Sequence, residues 1–322
     1  MSELARFTGT GTATNPATEP AINPAINLAA LSPSELIGHL AALRAHDPGA
    51  VARAAAARAR RTTVVGASGR LMLLAADHPA RGALRVGTDP MAMAHRGDLL
   101  CRIATALSRP GVDGFLGTPD IVEDLLLMGV LEDKLVLGSM NRGGLAGTTF
   151  EIDDRMTAYD AATIAAMGYD GGKMLLRIDP DDEATADTLA ACAGAVSALA
   201  DHHRMAMVEP FISRRSEGRL VNDLSTEAVI RSATVAAGLG RTSAHTWLKL
   251  PVVADMERVA EATSLPILLL GGETSLDDPA TLDRWRAANA CPSVFGMIVG
   301  RALLYPGDGD VAAAVDATVG MS

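Results

Sequence analysis

Residues 267–304 read ILLLGGETSLDDPATLDRWRAANACPSVFGMIVGRALL and contain a complete strand–helix–strand unit. An apolar run ends at Gly271-Gly272, a helical pattern opens at Asp278-Pro279, and a second apolar run covers 296–304. Strands and helices that alternate in this way are typical of α/β proteins with a parallel sheet.

The same alternation extends back to about residue 70. Further strands are predicted at LMLLAAD (71–77), GFLGT (114–118), KLVLGSM (134–140), GKMLLRID (172–179), AMVEPFI (206–212) and TWLKLPV (246–252). Asp89-Pro90 and Thr118-Pro119 are predicted to open helices between them, because proline favours the first helical position. Eight βα units in roughly 250 residues are the number and length expected of a (β/α)8, or TIM, barrel.

A doubly wound open sheet is the competing architecture. It would place a glycine-rich nucleotide site, G-x-G-x-x-G, at the first βα turn. Here that turn reads DHPARGAL, which lacks the pattern. The sequence therefore favours the barrel, an α/β fold.

Residues 1–62 are predicted to form an N-terminal arm with two helices, and residues 63–322 the barrel domain. The first 30 residues are rich in Ala, Asn, Pro and Thr without a clear period, as in an extended arm. Ser32-Pro33-Ser34-Glu35 carries a capping box and starts the first helix. Asp47-Pro48 opens the second, which is predicted to run through VARAAAARARR (51–61).

Bulk composition excludes several classes of protein. The net charge is −10 and no long basic run is present, so nucleic-acid binding is not expected. No signal-peptide pattern and no unbroken apolar stretch of transmembrane length occur, which predicts a cytoplasmic protein without a membrane partner. Cys101, Cys192 and Cys291 are widely spaced, so a disulfide framework is not expected.

Lysine is rare in this chain, and its placement is informative. There are three lysines among 28 basic residues, and Lys173 and Lys249 lie inside predicted strands. A buried lysine can lose its proton, whereas arginine stays charged. A neutral amine can attack a carbonyl group and form a Schiff base. Compositional bias explains the rarity of lysine but not these positions.

The alternation of side chains along the sixth predicted strand decides which residues enter the barrel. Leu248 and Leu250 are expected to face the outer helices, so His245, Trp247 and Lys249 are expected to face the interior. An inward lysine is costly unless it is paired or neutral.

Other charged residues are predicted to lie near Lys249, because chemistry in such barrels takes place at the C-terminal ends of the strands. Asp77 ends strand one, Lys173 lies on strand four and Glu209 lies on strand five. Two amines and two carboxylates in one barrel mouth suit Schiff-base chemistry with proton transfer. A buried structural ion pair between Lys249 and Glu209 is the alternative.

The loops after strands seven and eight are candidate phosphate sites, because glycines let backbone N–H groups approach an anion. Tight turns are the alternative explanation for these glycines. The predicted substrate- or phosphate-binding residues are His78, Arg142, Gly271, Gly272, Ser275, Gly300 and Arg301.

These segments resemble the class I aldolases of the deoxyribose-phosphate aldolase-like group, in particular archaeal-type fructose-bisphosphate aldolases and tagatose-bisphosphate aldolases. LAADHPARG resembles the first strand of the family, WLKLPVV the sixth strand with the Schiff-base lysine, and LPILLLGGETS and GMIVGRALLYP the phosphate-binding seventh and eighth strands. GGKMLLRIDP and MVEPFI resemble the fourth and fifth strands of the tagatose enzymes. The resemblance covers about residues 70–305.

The resemblance implies Lys249 as the nucleophile and Asp77, Lys173 and Glu209 as proton-transfer or orienting groups. It implies a phosphorylated ketose or keto-sugar acid as substrate, dihydroxyacetone phosphate as product, and neither cofactor nor metal. The chain departs from the pattern in His78-Pro79, in its N-terminal extension and in the loops 139–158 and 211–224. It also resembles bacterial barrel proteins associated with inositol breakdown, whose expected substrate is a phosphorylated deoxy-ketogluconate.

Three rival interpretations remain open. A metal-dependent aldolase needs several His or carboxylate ligands at the strand ends. His78 alone is well placed, because His202-His203 precede strand five and His245 starts strand six. A phosphosugar isomerase or epimerase would use Asp or Glu as base, and a non-catalytic barrel would bind a sugar phosphate without turnover.

The protein is expected to form a homo-oligomer.

Overall fold

The computed structural model describes residues 27–141, 144–272 and 279–320. Its strands are β1 Leu71–Ala75, β2 Gly114–Gly117, β3 Leu135–Ser139, β4 Gly171–Ile178, β5 Met205–Ser216, β6 Arg219–Asp223, β7 Thr246–Pro251, β8 Ile267–Leu270 and β9 Val294–Val299. Its α-helices are α1 Pro33–His46, α2 Ala50–Ala57, α3 Arg96–Leu107, α4 Pro119–Leu127, α5 Ala161–Ala166, α6 Ala184–Asp201, α7 Thr226–Ala237, α8 Met256–Glu261, α9 Pro279–Asn289, α10 Arg301–Leu304 and α11 Val311–Val319. Short 3₁₀ helices cover Leu28–Ala30 and Pro79–Arg81.

Eight parallel strands close into a barrel. β1 pairs with β2 on one side and with β9 on the other, and the ring continues through β3, β4, β5, β7 and β8. Helices on the outside alternate with the strands, which confirms the predicted TIM barrel with an N-terminal helical segment. The C-terminal strand ends therefore converge on one face of the molecule.

Two apolar layers hold this architecture together. Along β1, Met72 and Leu74 pack outward among the helices, whereas Leu71, Leu73 and Ala75 point into the barrel. The other fully interior apolar side chains are Leu116, Leu135, Leu137, Met205, Met207, Leu268 and Ile298. Trp247 packs against this interior layer, as the alternation along β7 predicts.

The N-terminal extension lies on the outside of the barrel. α1 packs against α3 and α2 packs against α4. Ser32 and Glu35 form the predicted capping box at the start of α1. The boundary between extension and barrel at residue 62 stays a prediction.

The second helix ends at Ala57, so the prediction that it continues to Arg61 was wrong. Arg58 leaves the helix and donates from its buried guanidinium to the carbonyl oxygens of Leu131, Lys134 and Gly168. Three carbonyl acceptors for one buried cation stabilise the turn away from helical geometry.

The prediction of a helix opening at Asp89-Pro90 was also wrong. Val86 and Asp89 bond to each other through their backbones in a tight turn, and α3 begins at Arg96. His95 caps α3 instead, because its Nδ1 accepts from the backbone N–H of Asp98 at 3.0 Å. The prediction at Thr118-Pro119 is confirmed, since α4 starts at Pro119.

Residues 211–224, expected to be a loop, form a β-hairpin. β5 continues past the barrel to Ser216, and β6 returns antiparallel to it. The turn between them places Glu217 at φ 50° and Gly218 at φ 77°, the two positive angles of a type I′ turn. The lower part of β5 pairs with β7 and the upper part with β6, so the hairpin projects from the C-terminal face.

All three cysteines are free. None of the helices in the described part of the chain combines the length and apolar character needed to cross a membrane.

Candidate active site

Four charged residues meet inside the C-terminal end of the barrel, and we call them the charged tetrad: Asp77, Lys173, Glu209 and Lys249. They lie just beyond β1, on β4, on β5 and on β7. Their exposed fractions are 2%, 2%, 8% and 3% in that order. Leu248 and Leu250 lie in the outer core, so Lys249 faces inward as predicted.

The tetrad is a continuous chain of ion pairs. Lys173 Nζ lies 3.1 Å from Asp77 Oδ2 and also pairs with Glu209 Oε2. Lys249 Nζ lies 3.0 Å from Glu209 Oε1. Two cations and two anions alternate, so the fully ionised chain carries no net charge. This balance explains how four charged side chains are tolerated in a buried position.

Glu209 is the central member, because its two oxygens contact the two amines. Burial alone would raise the pKa of Glu209, but the positive charges of Lys173 and Lys249 outweigh burial and hold that pKa below its ordinary value of 4.5. Glu209 is therefore ionised at neutral pH and lies within reach of both amines for proton exchange.

Ser139 also contacts the charged tetrad, and the sequence did not predict this contact. It is fully buried at the end of β3, and its Oγ donates to Asp77 Oδ2 at 3.3 Å. The same carboxylate oxygen receives Lys173, so Ser139 helps to fix the orientation of Asp77. Its position at a strand end was the available signal.

His78 lies beside the tetrad at the edge of the mouth. Its side chain is 27% exposed, and its Nδ1 lies 3.9 Å from Asp77 Oδ1. The pKa of His78 is lowered to about 3, chiefly by desolvation; the Asp77 carboxylate opposes this shift, and the charges of Arg301 and Lys249 contribute to it. The imidazole is therefore neutral at neutral pH.

The predicted phosphate segments lie at the ends of adjacent strands. β8 pairs with β9, so Gly271-Gly272 and Gly300-Arg301 follow neighbouring strands at the same face. Gly272 adopts φ 64°. A Cβ on Gly300 would lie 2.5 Å from the carbonyl oxygen of Ala75, so only glycine fits against the end of β1. Arg142 and Ser275, two predicted binding residues, lie outside the described residues.

Two buried arginines, which the sequence did not place in the site, fasten the segment after β3 to the mouth. Arg81 donates to the carbonyl oxygens of Asn141 and Gly144 and pairs with Asp154. Arg177 pairs with the Glu151 carboxylate and donates to the Glu151 carbonyl oxygen. The partners lie far apart in sequence, which hides such pairs from sequence reading.

Asn141 closes the gap that β3 leaves beside β4. Its side-chain amide donates to the carbonyl oxygen of Leu175 and accepts from the Leu175 N–H at 2.8 Å. The side chain thus replaces a strand neighbour where β3 has ended and β4 continues.

The histidines expected at the opposite end of the barrel are found there. His203 follows α6 and stacks edge-to-face on His245, with ring centroids 5.7 Å apart. His245 therefore precedes β7 at the N-terminal rim and does not enter the tetrad. Within the described ranges, no group of three or more His, Cys, Asp or Glu side chains is arranged to hold a metal ion.

Comparison with known proteins gives both close and distant similarity. A profile of the Cgl0159-like family matches residues 69–319. The crystal structure of Cgl0159 from Corynebacterium glutamicum (Brevibacterium flavum) is 53% identical, with a TM-score of 0.86, over 88% of this chain and 96% of that one. No curated protein matches.

Schiff-base aldolases share the fold at low identity. A Schiff-base-forming fructose-1,6-bisphosphate aldolase is 18% identical, with a TM-score of 0.57, over 80% of this chain and 96% of that one. An archaeal fructose-1,6-bisphosphate aldolase, whose catalytic lysine is covalently bound to the carbinolamine intermediate, is 17% identical, with a TM-score of 0.58 and the same coverage. At this identity the similarity establishes the TIM-barrel fold. The match over most of the chain, together with the 53% identity to Cgl0159, shows that this protein belongs to the Cgl0159-like family.

Proposed function

We propose that this protein is a class I aldolase that cleaves or forms a carbon–carbon bond in a phosphorylated ketose or keto-sugar acid through a Schiff base on Lys249. The observation that carries the proposal is the buried chain Asp77–Lys173–Glu209–Lys249 at the C-terminal end of the barrel. A purely structural ion pair would need one amine and one carboxylate. Four alternating charges also supply a nucleophile and a path for protons.

The ion pairs favour Lys249 over Lys173 as the nucleophile. Lys173 contacts two carboxylates, Asp77 and Glu209, and both stabilise its ammonium form. Lys249 contacts the Glu209 carboxylate. Two carboxylates therefore hold the Lys173 amine in place, whereas one contacts the Lys249 amine, so Lys249 is freer to bond a substrate carbon.

The reaction then follows from the charges. Lys249 first gives its ammonium proton to Glu209, and its amine attacks the ketone carbon. The carbinolamine takes this proton back as its hydroxyl leaves as water, and an iminium ion remains. The lost ammonium charge is replaced by the iminium charge, so the balance with Glu209 and Asp77 is restored. The iminium accepts the electron pair of the breaking carbon–carbon bond and becomes an enamine.

Carboxylates move the protons. Glu209 or Asp77 takes the proton from the hydroxyl group on the leaving carbon, which departs as an aldehyde. The same carboxyl group then returns this proton to the enamine carbon, and water hydrolyses the iminium to release dihydroxyacetone phosphate and regenerate the Lys249 ammonium group. Lys173 lies between the two carboxylates and can pass a proton from one to the other.

The phosphate is proposed to bind beyond β8 and β9, near Gly271, Gly272, Gly300 and Arg301. Two features support this location. Gly300 packs closely against the end of β1, which fixes the turn after β9 at the mouth of the barrel, and the charge of Arg301 acts on His78 beside the tetrad. Arg142, Ser275 and His78 are proposed as further substrate contacts.

The test is aldehyde release from a panel of phosphorylated ketoses and keto-sugar acids, with or without EDTA. Lys249→Met should lower turnover about a thousandfold or more. Lys249→Arg is the matched control, because it keeps a cation beside Glu209 but not a nucleophile, and it should be equally inactive. Substantial aldehyde release by either variant would refute the proposal. Isomerisation without carbon–carbon cleavage would favour an isomerase.

A further inference from the structure

The outer edge of strand β6 is an unpaired sheet edge at the C-terminal face. Along the described chain β6 pairs with β5 and with no other strand, and four of its five residues are exposed. An open edge presents backbone N–H and C=O groups that can template another strand.

Hairpin geometry identifies the groups on that edge. A two-residue type I′ turn closes on a hydrogen-bonded pair, here Ser216 and Arg219. Alternate residues then bond to β5, so the backbone groups of Leu220 and Asn222 point to the open side. Val221 lies between them and is 42% exposed.

The sequence of β6, Arg219-Leu220-Val221-Asn222-Asp223, is complementary to itself when reversed. Antiparallel pairing of two copies about Val221 places Arg219 of each copy opposite Asp223 of the other. Leu220 faces Asn222 in the hydrogen-bonded positions, and the two Val221 side chains meet in the close, non-hydrogen-bonded position. Charges at an edge normally repel a second strand. Here residues of opposite charge lie at symmetric positions, and this arrangement favours pairing with a second copy of the strand.

Apolar surface adjoins this edge. Leu224, directly after β6, is 55% exposed, and Phe150 in the segment after β3 is 49% exposed. Arg215 of the hairpin donates to the carbonyl oxygen of Thr149 at 2.6 Å, which connects the two elements. A five-residue ladder buries less than the roughly 1,000 Å² of a stable interface, so this surface is needed to extend it.

We propose that β6 is an interaction surface for a second copy of this chain, and that two hairpins pair antiparallel about Val221 across a two-fold axis. The interface is isologous, because each copy supplies the same strand. Four backbone hydrogen bonds between Leu220 and Asn222 of the two copies and two Arg219–Asp223 ion pairs hold it.

Sedimentation velocity of the full chain over a range of concentrations tests the proposal. The wild-type protein should be a dimer at protein concentrations of about tens of micromolar, as expected for an interface of moderate affinity. Arg219→Asp and Asp223→Arg each place like charges opposite one another twice, and each should weaken dimerisation about tenfold or more. Arg241→Asp, a charge reversal of an exposed residue paired with Asp201, is the control and should leave the dimer unchanged.

Mixing the two variants provides the decisive arm. Arg219→Asp and Asp223→Arg chains complement each other, so an equimolar mixture should recover dimers that neither variant forms alone. Val221→Lys, which places two ammonium groups together, should dissociate the dimer even if Asp223→Arg proves unstable. A monomeric wild-type protein, or variants that keep the wild-type mass, would overturn the proposal.

Discussion

Lys249 Nζ lies 3.0 Å from Glu209 Oε1 inside a parallel barrel, and both side chains are buried. The other oxygen of the same carboxylate contacts Lys173. One carboxylate thus connects the proposed nucleophile to a second amine and, through that amine, to Asp77.

Lys173→Met should slow catalysis without preventing Schiff-base formation. The variant removes the cation between Asp77 and Glu209, which is the proposed proton path. A loss of about 10²–10⁴-fold in kcat is expected, the usual range for acid–base catalysis. Rapid-quench measurement should show that the covalent intermediate still forms on Lys249. If no intermediate forms and the folded structure is intact, Lys173 has a role in nucleophilic attack instead.

Glu209→Gln should change how stability depends on pH. The two lysines hold the pKa of Glu209 below 4.5 in the folded state, so its carboxylate stabilises the fold at pH values above the unfolded pKa. That stabilisation is lost as the pH falls below 4.5 towards the folded pKa. Urea unfolding is measured at pH values from about 7 to about 3. The free energy of unfolding should fall less with decreasing pH for Glu209→Gln than for the wild type.

The same variant should be less stable at neutral pH, because Lys173 and Lys249 lose their shared anion. Glu217→Gln is the matched control, since Glu217 is exposed in the hairpin turn. Equal pH dependence in wild type and Glu209→Gln would show that the ion pairs do not perturb this carboxyl group.

Arg301→Ala should weaken substrate binding more than it slows the chemical step. Under the proposed function Arg301 contacts the phosphate, which does not react, so its loss should raise KM about tenfold or more with a smaller change in kcat. The measurement is kcat and KM for a phosphorylated substrate and for its unphosphorylated analogue. An equal effect on both compounds would show that Arg301 supports the fold and not phosphate binding.

Much of this architecture is predictable from local sequence. Period-two alternation in WLKLP assigns Lys249 to the interior, and the order of strand ends brings Asp77, Lys173 and Glu209 to the same face. The inward position of Lys249 and the meeting of the four charged residues both depend on the strand register and the barrel topology. Strongly apolar strands specify these two features well.

Long-range contacts account for what the sequence did not reveal. Arg58 ends α2 because its partners, Leu131, Lys134 and Gly168, come from distant turns. The hairpin at 211–224 is hard to predict from sequence because its strand β6 is polar and short. The Glu217-Gly218 pair was a turn signal, but a glutamate at positive φ is unusual.

Borohydride trapping tests the central claim most directly. The protein is incubated with dihydroxyacetone phosphate, reduced with borohydride and analysed by peptide mass spectrometry. We expect one adduct on Lys249 and none on Lys134, whose Nζ donates to the carbonyl oxygen of Val112 and which serves as internal control. An adduct confined to Lys173 would reverse the roles of the two lysines. Binding of the ligand without any lysine adduct would contradict the Schiff-base account.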